Sequence, residues 1–247
     1  MLEINKIYFE DCLVGMQGID DKSIDMILCD LPYGTTHNKW DTIIPIDKLW
    51  LQYEKIIKNN GAIILTATQP FSSFLVTSNI KLFKYEWIWV KSKVTGYLNA
   101  KKQPMRKTES ILVFYKNFPI YNPQMKKVKE RFVQRSGGYS RKGMGYNDHD
   151  AISSSNGGLN YPNNVLEIKS STTGLHPTEK PVELFEYFIK TYSNENELVL
   201  DNCIGSGTTA IACLNTNRNY IGFENDPKYF EIANQRILEH KEKLNAL

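Results

Sequence analysis

The stretch Leu198-Val199-Leu200-Asp201-Asn202-Cys203-Ile204-Gly205-Ser206-Gly207-Thr208-Thr209 constrains this chain most. An apolar run too short for a helix meets a carboxylate, then a turn with two glycines, then a pair of threonines opening a helical pattern. Glycine removes the side chain where a ligand must approach backbone, and a helix N-terminus presents unbonded N–H groups. The next short apolar run, Tyr220 to Phe223, ends at Glu224, where a carboxylate is placed to accept the two hydroxyls of a ribose. A G-x-G turn alone is as well explained by a tight helix cap. The strand before it and the carboxylate after it favour a nucleoside site.

Similar grammar runs along both ends of the chain. Ser23 to Cys29 reads as a buried strand stopped by Asp30 and Pro32, and Pro45 to Lys58 as a helix ended by Asn59-Asn60-Gly61. Ala62 to Thr66 is a second buried strand, Pro70 to Thr77 a helix, and Tyr85 to Val90 and Ser110 to Tyr115 are strands able to form a long hairpin. Lys91 to Glu109 between them reads as a basic loop. Regular pattern returns with helices at Pro181 to Tyr192, from Thr208, and at Pro227 to Leu244. Strands alternating with helices predict an α/β fold, a doubly wound and mostly parallel sheet to which each end contributes a half. A length of 247 residues suits one such domain with an insertion. The expected division is 1–116, an insert over 117–175 where periodicity fades, and 176–247.

Charge sets the middle apart. Between Lys91 and Tyr146 stand 14 lysines and arginines against only Glu109 and Glu130, so a net +12 there faces −9 in the remainder. Such clustering predicts a polyanionic partner. Lys101, Lys102, Arg106, Lys126, Lys127, Lys129, Arg131 and Arg135 are the candidate phosphate contacts, although any single one reads equally as a solvated lysine or arginine. No apolar run approaches the roughly 20 residues of a membrane span, and the start MLEINKIYFED lacks a signal pattern, so a soluble cytoplasmic protein with no membrane partner is expected. The four cysteines lack zinc-ligand spacing and read as reduced and mostly buried, with no metal expected.

Asp30-Leu31-Pro32-Tyr33 closes the first buried strand. A carboxylate beside the carbonyl of a rigid Leu-Pro turn offers two acceptors, enough to hold both protons of an amino group, and the tyrosine ring behind them can stack on a planar base. By itself such a sequence is commonly a strand-ending turn. His37 and Trp40 just beyond it could form a flap over a base, or could equally be a satisfied loop histidine and a packed tryptophan. Trp87 and Trp89 alternate with apolar neighbours on a strand and read as core or interface rather than base-stacking residues.

Here several motifs together resemble a known family. Asp30 to Tyr33 is similar to the D-P-P-Y motif, and Asp201 to Thr209 to the D-P-F-x-G-S-G-T-T motif, of the DNA amino-methyltransferases. His176-Pro177-Thr178-Glu179-Lys180-Pro181 resembles the H-P-T-x-K-P signature of their β group, and Glu10-Asp11-Cys12 its N-terminal G-D-C element. The catalytic motif precedes the cofactor motif, the permuted order of that group. Leu31 stands where the family has its first proline, and Asn202-Cys203 where it has Pro-Phe.

The resemblance implies a Rossmann-like sheet, S-adenosylmethionine as methyl donor and double-stranded DNA as substrate. It implies that Asp30, Leu31, Pro32 and Tyr33 are catalytic. Asp11, Cys12, His176, Thr178, Lys180, Asp201, Cys203, Gly205, Ser206, Gly207, Thr208, Thr209 and Glu224 would bind the cofactor, and the insert would carry target recognition. The amine expected to be methylated is adenine N6, because the cytosine-N4 enzymes more often carry Ser where Asp30 stands. A homodimer and a cognate restriction endonuclease are left open as partners. Two rival readings are a methyltransferase for RNA or protein amides and a non-catalytic DNA-binding protein on a decayed fold.

Overall fold

The computed structural model describes residues 2–34, 41–130, 132–135, 152–155, 157–171, 174 and 179–246. The predicted roles of His37, Trp40, Arg131, His176 and Thr178 lie outside the described residues. Two compact units are present, one formed by Met1–Asn122 with Asn164–Leu247 and the other by Pro123–Asn163.

In chain order the elements are β1 (Lys6–Phe9), α1 (Cys12–Gly15), β2 (Ile24–Cys29), α2 (Ile46–Ile56), β3 (Ile57–Ala67), α3 (Phe71–Ser78), β4 (Phe83–Thr95) and β5 (Arg106–Phe114). The second unit contributes β6 (Lys126–Lys127), β7 (Phe132–Arg135), β8 (Ile152–Ser155) and β9 (Leu159–Asn160). The chain then continues with β10 (Val165–Ile168), α4 (Val182–Tyr192), β11 (Leu198–Asp201), α5 (Thr208–Asn215), β12 (Asn219–Glu224) and α6 (Pro227–Asn245). Eight strands make one sheet in the order β1-β12-β11-β2-β3-β5-β4-β10. Only β5 runs against its neighbours, pairing antiparallel with β3 and β4. The smaller unit is two antiparallel ladders, β6 with β9 and β7 with β8.

The two faces of the large sheet explain why its central strands read as unbroken apolar runs. Met26 and Leu28 of β2 face a core shared with Leu184, Phe185 and Phe188 of α4, Ala210 of α5 and Ala233 of α6. Ile27 and Cys29 point the other way, onto Leu49, Trp50 and Tyr53 of α2 and Phe71 of α3. A strand buried on both sides cannot alternate apolar with polar. In α2 the buried Leu49, Trp50, Tyr53 and Ile56 recur at helical spacing, and each such side chain contributes about 2 kcal/mol of burial. Trp87 and Trp89 are core residues, as predicted. Among the described residues no helix is long and apolar enough to cross a membrane.

Several regions differ from the sequence reading, among them the expected helix end at Asn59-Asn60-Gly61, which is strand because β3 begins at Ile57. Both ends of the predicted loop from Lys91 to Glu109 are strand, since β4 continues to Thr95 and β5 begins at Arg106, with those two residues paired. The hairpin's outer part is largely solvated, so its apolar residues do not alternate with polar ones as a half-buried strand's do. Lys91 is not part of the basic surface, being 6% exposed and 3.0 Å from the Glu109 carboxylate. The second unit is narrower than the predicted insert: β10 pairs parallel with β4 and buries Leu166 in the core, too short a strand to announce itself by periodicity. The short β1 and α1 also went unpredicted, and they lengthen the sheet beside β12.

Candidate active site

β1, β2, β3, β11 and β12 run parallel, so their carboxyl ends collect at one edge, where open α/β sheets bind ligands. A cavity of about 390 Å³ opens there. Its walls bring together Asp11 and Cys12 after β1, Asp30 to Tyr33 after β2, Lys180 before α4, Asp201 and the turn after β11, and Glu224 at the tip of β12.

One side of this cavity is acidic and backbone-rich. Asp201 is 2% exposed and accepts from the Cys203 N–H at 3.0 Å and from the Thr209 hydroxyl. Burial raises its pKa to about 6 despite those bonds. Glu224 accepts from the N–H groups of Gly205 and Asp226, each at 2.8 Å, and burial pushes its pKa up while these donors pull it down. With three backbone donors on its four lone pairs, the carboxylate retains acceptor capacity for a hydroxyl from the cavity. Asp11 spends one oxygen capping α1, accepting from Leu13 and Val14. The thiols of Cys12 and Cys203 bond to each other, and the Cys12 pKa stands well above normal through that bond first and burial second. Asn202, in the place of a proline, accepts from Tyr53 Oη at 2.5 Å, which pays for its burial.

Two predicted cofactor contacts lie elsewhere. Gly207 and Thr209 do not line the cavity. Gly207 has φ +83° and faces α6, where an added Cβ would stand 3.3 Å from Ala233 Cβ, so this glycine serves a left-handed turn and helix packing. Thr209 is fully buried and its hydroxyl is committed to Asp201. Ser206 and Thr208 do reach the cavity, beside Arg236, whose Nη1 donates to the Ser206 carbonyl at 3.1 Å.

On the other side, Asp30 is held from three directions. Its Oδ1 accepts from Tyr33 Oη at 2.7 Å and from the Thr66 hydroxyl, while Lys180 Nζ lies 2.6 Å from Oδ2. Lys180 is also 3.5 Å from Glu109, which binds Lys91 in turn, so two carboxylates and two ammoniums form one chain of compensated charge. Burial opposes the charge on Lys180, but Asp30 and Glu109 more than offset it and its pKa stands above the usual value. The Tyr33 ring lies 5.2 Å from Phe71 and 5.7 Å from the Lys180 ammonium. Sequence reasoning missed Thr66, Lys91 and Glu109, because sheet order alone puts β3 and β5 beside the Asp30 turn. The one available signal was Glu109 standing almost alone among cations.

This site sits in a recognisable scaffold. Residues 24–235 match the N6/N4 methyltransferase family, described as DNA methylase. The chain belongs to that family. It is 30% identical to the Type II methyltransferase M1.MboII of Moraxella bovis, over 95% of this chain and 96% of that protein. It is 24% identical to the DNA adenine methyltransferase YhdJ of Escherichia coli (strain K12), over 95% and 83% of the two chains. The solved complex of M1.HpyAVI with SAM superposes with a TM-score of 0.63 at 25% identity, covering 94% of this chain and 98% of the other. The PvuII cytosine-N4-specific DNA methyltransferase has the same fold, with a TM-score of 0.66 at 15% identity. The protein is therefore a DNA methyltransferase with a Rossmann-like fold that uses S-adenosylmethionine. The acidic cavity fits that cofactor, whose sulfonium and amino group are cationic and whose ribose hydroxyls need acceptors such as Glu224.

The expected phosphate contacts fall in both units. Lys101, Lys102 and Arg106 are exposed around the tip of the β4–β5 hairpin, and Lys126, Lys127 and Lys129 are exposed in and beside β6 of the second unit. Arg135 belongs to β7.

Proposed function

We propose that the protein methylates adenine N6 in duplex DNA, with Asp30, Leu31, Pro32 and Tyr33 around the reacting amine and the unit at Pro123–Asn163 taking part in target recognition. The observation that carries this reading is the Asp30 carboxylate, oriented by Tyr33, Thr66 and Lys180 at the mouth of an acidic cavity. Bound S-adenosylmethionine supplies an electrophilic methyl group on a sulfonium. An exocyclic amine is a poor nucleophile because its lone pair is delocalised into the ring. Asp30 and the Leu31 carbonyl accept its protons, favour a pyramidal nitrogen and stabilise the positive charge that develops there. The nitrogen–methyl bond would form as the methyl–sulfur bond breaks with its electron pair going to sulfur, and the proton lost from the nitrogen would pass to the Asp30 carboxylate and on to solvent, while the Leu31 carbonyl only holds the second amine hydrogen. The base must leave the helix to reach them.

Adenine is favoured over cytosine by the carboxylate at position 30 and by the likeness to a DNA adenine methyltransferase. Such a protein acts in the cytoplasm, where bacterial DNA lies. The test is methyl transfer from labelled S-adenosylmethionine to unmethylated genomic DNA, followed by nucleoside digestion and mass spectrometry. N6-methyladenine is the expected product, and N4-methylcytosine would overturn the base assignment.

A further inference from the structure

The tip of the β4–β5 hairpin spends apolar side chains on solvent. Tyr97 is 81% exposed and Leu98 97%, yet the turn that carries them is ordered. Gly96 enters it at φ +90°, the Asn99 and Ala100 N–H groups bond back to Gly96 and Tyr97 at 3.0 Å, and Lys102 N–H bonds to Asn99 at 2.8 Å. An aromatic ring and a leucine presented side by side on a structured turn and rimmed by polar residues mark an interaction site. The surroundings select the covering partner. Lys93, Lys101, Lys102, Arg106 and Lys107 are exposed around the tip, and no acidic residue lies between Lys91 and Thr108.

The tip also stands on the correct side of the sheet. β5 runs opposite to β3, so its Arg106 end lies beside the carboxyl end of β3, at the edge where Asp30 sits. Glu109 of β5 contacts Lys180, which holds Asp30. From Glu109 the strand continues to Arg106, about 10 Å further out at roughly 3.3 Å per residue, and the turn lies beyond it.

We propose that Tyr97 and Leu98 form a wedge that enters the base stack and fills the gap left by the extruded target base, while the surrounding lysines and arginine hold the flanking phosphates. This rests on DNA methylation and adds the residues that open the duplex. An apolar side chain between base steps offsets lost stacking, and cations beside it bind both strands.

The test first maps the methylated position by sequencing genomic DNA treated with wild-type protein. Duplex oligonucleotides carrying that site are then made with the target base either paired or opposite an abasic position, which removes most of the cost of extrusion. The double variant Tyr97→Ala/Leu98→Ala is expected to lose about 10- to 100-fold in kcat/KM on the paired duplex, to return within a few-fold of wild type on the abasic duplex, and to keep wild-type cofactor affinity. A variant as active as wild type on paired DNA overturns the wedge and turns the tip into a surface for a protein partner. A loss that the abasic duplex does not relieve also overturns it. Wild-type protein that leaves all DNA unmodified overturns the methylation reading and the wedge together, whereas a wild-type signal with an unaffected variant overturns the wedge alone.

Discussion

Lys180 Nζ lies 2.6 Å from Asp30 Oδ2, joining residues 150 positions apart in a pair whose side chains are 6% and 21% exposed. Removing one partner leaves an uncompensated buried charge. Lys180→Met is therefore expected to reduce stability by about 3 kcal/mol, measured by urea unfolding, and to slow methyl transfer at least about 100-fold because Asp30 loses its orientation. Asp30→Ala is expected to abolish transfer, with cofactor affinity by calorimetry close to wild type. Transfer by Asp30→Ala at even a tenth of the wild-type rate would remove Asp30 from the chemistry.

Tyr33 has two separable parts, a ring beside Phe71 and a hydroxyl that donates to Asp30 at 2.7 Å. Tyr33→Phe keeps the stacking face and loses only the hydroxyl, a loss of about 1.5 kcal/mol for a bond to a charged group, or roughly tenfold in kcat. Tyr33→Ala removes both and is expected to fall much further. Equal rates in the two variants would show that stacking contributes nothing.

How much was legible follows from what each feature needs. β2, β11 and β12 announce themselves because residues such as Met26, Ile27 and Leu28 are buried on both faces, and Asp30, Asp201 and Glu224 mark the ends of those strands. The partners of Asp30 were hidden, since Thr66 and Glu109 reach it through sheet order, a property of pairing and not of local pattern. Gly207 and Thr209 carry the motif's spelling, but packing gives them to α6 and Asp201. Sequence shows that a turn needs glycine there, not which neighbour requires it.

Lys126, Lys127 and Lys129 are exposed together in the second unit. Replacing all three by Ala is expected to weaken DNA binding for every sequence tested and to flatten the dependence of log affinity on log salt by roughly three units, one for each lost phosphate contact. Fluorescence anisotropy across a salt series measures the slope. An unchanged slope would place the DNA backbone elsewhere.

Asp201 is expected to tie cofactor binding to pH. Burial raises its pKa from 3.8 to about 6, so the folded protein favours the protonated form more than the unfolded chain does. The associated stabilisation, on the order of 3 kcal/mol, is full below about pH 4 and lost as pH rises through 6. Cofactor binding is expected to have the opposite slope. An ionised Asp201 in the cavity wall attracts a cationic ligand and a neutral one does not, so calorimetry is expected to show affinity falling as pH drops from 7 to 5. Asp201→Asn removes the titrating group while keeping an acceptor for the Cys203 N–H, and its affinity should be weaker at pH 7 and nearly flat below it. A variant that retains the wild-type pH dependence would assign the titration to another carboxylate, with Glu224 the next to test because burial raises its pKa too.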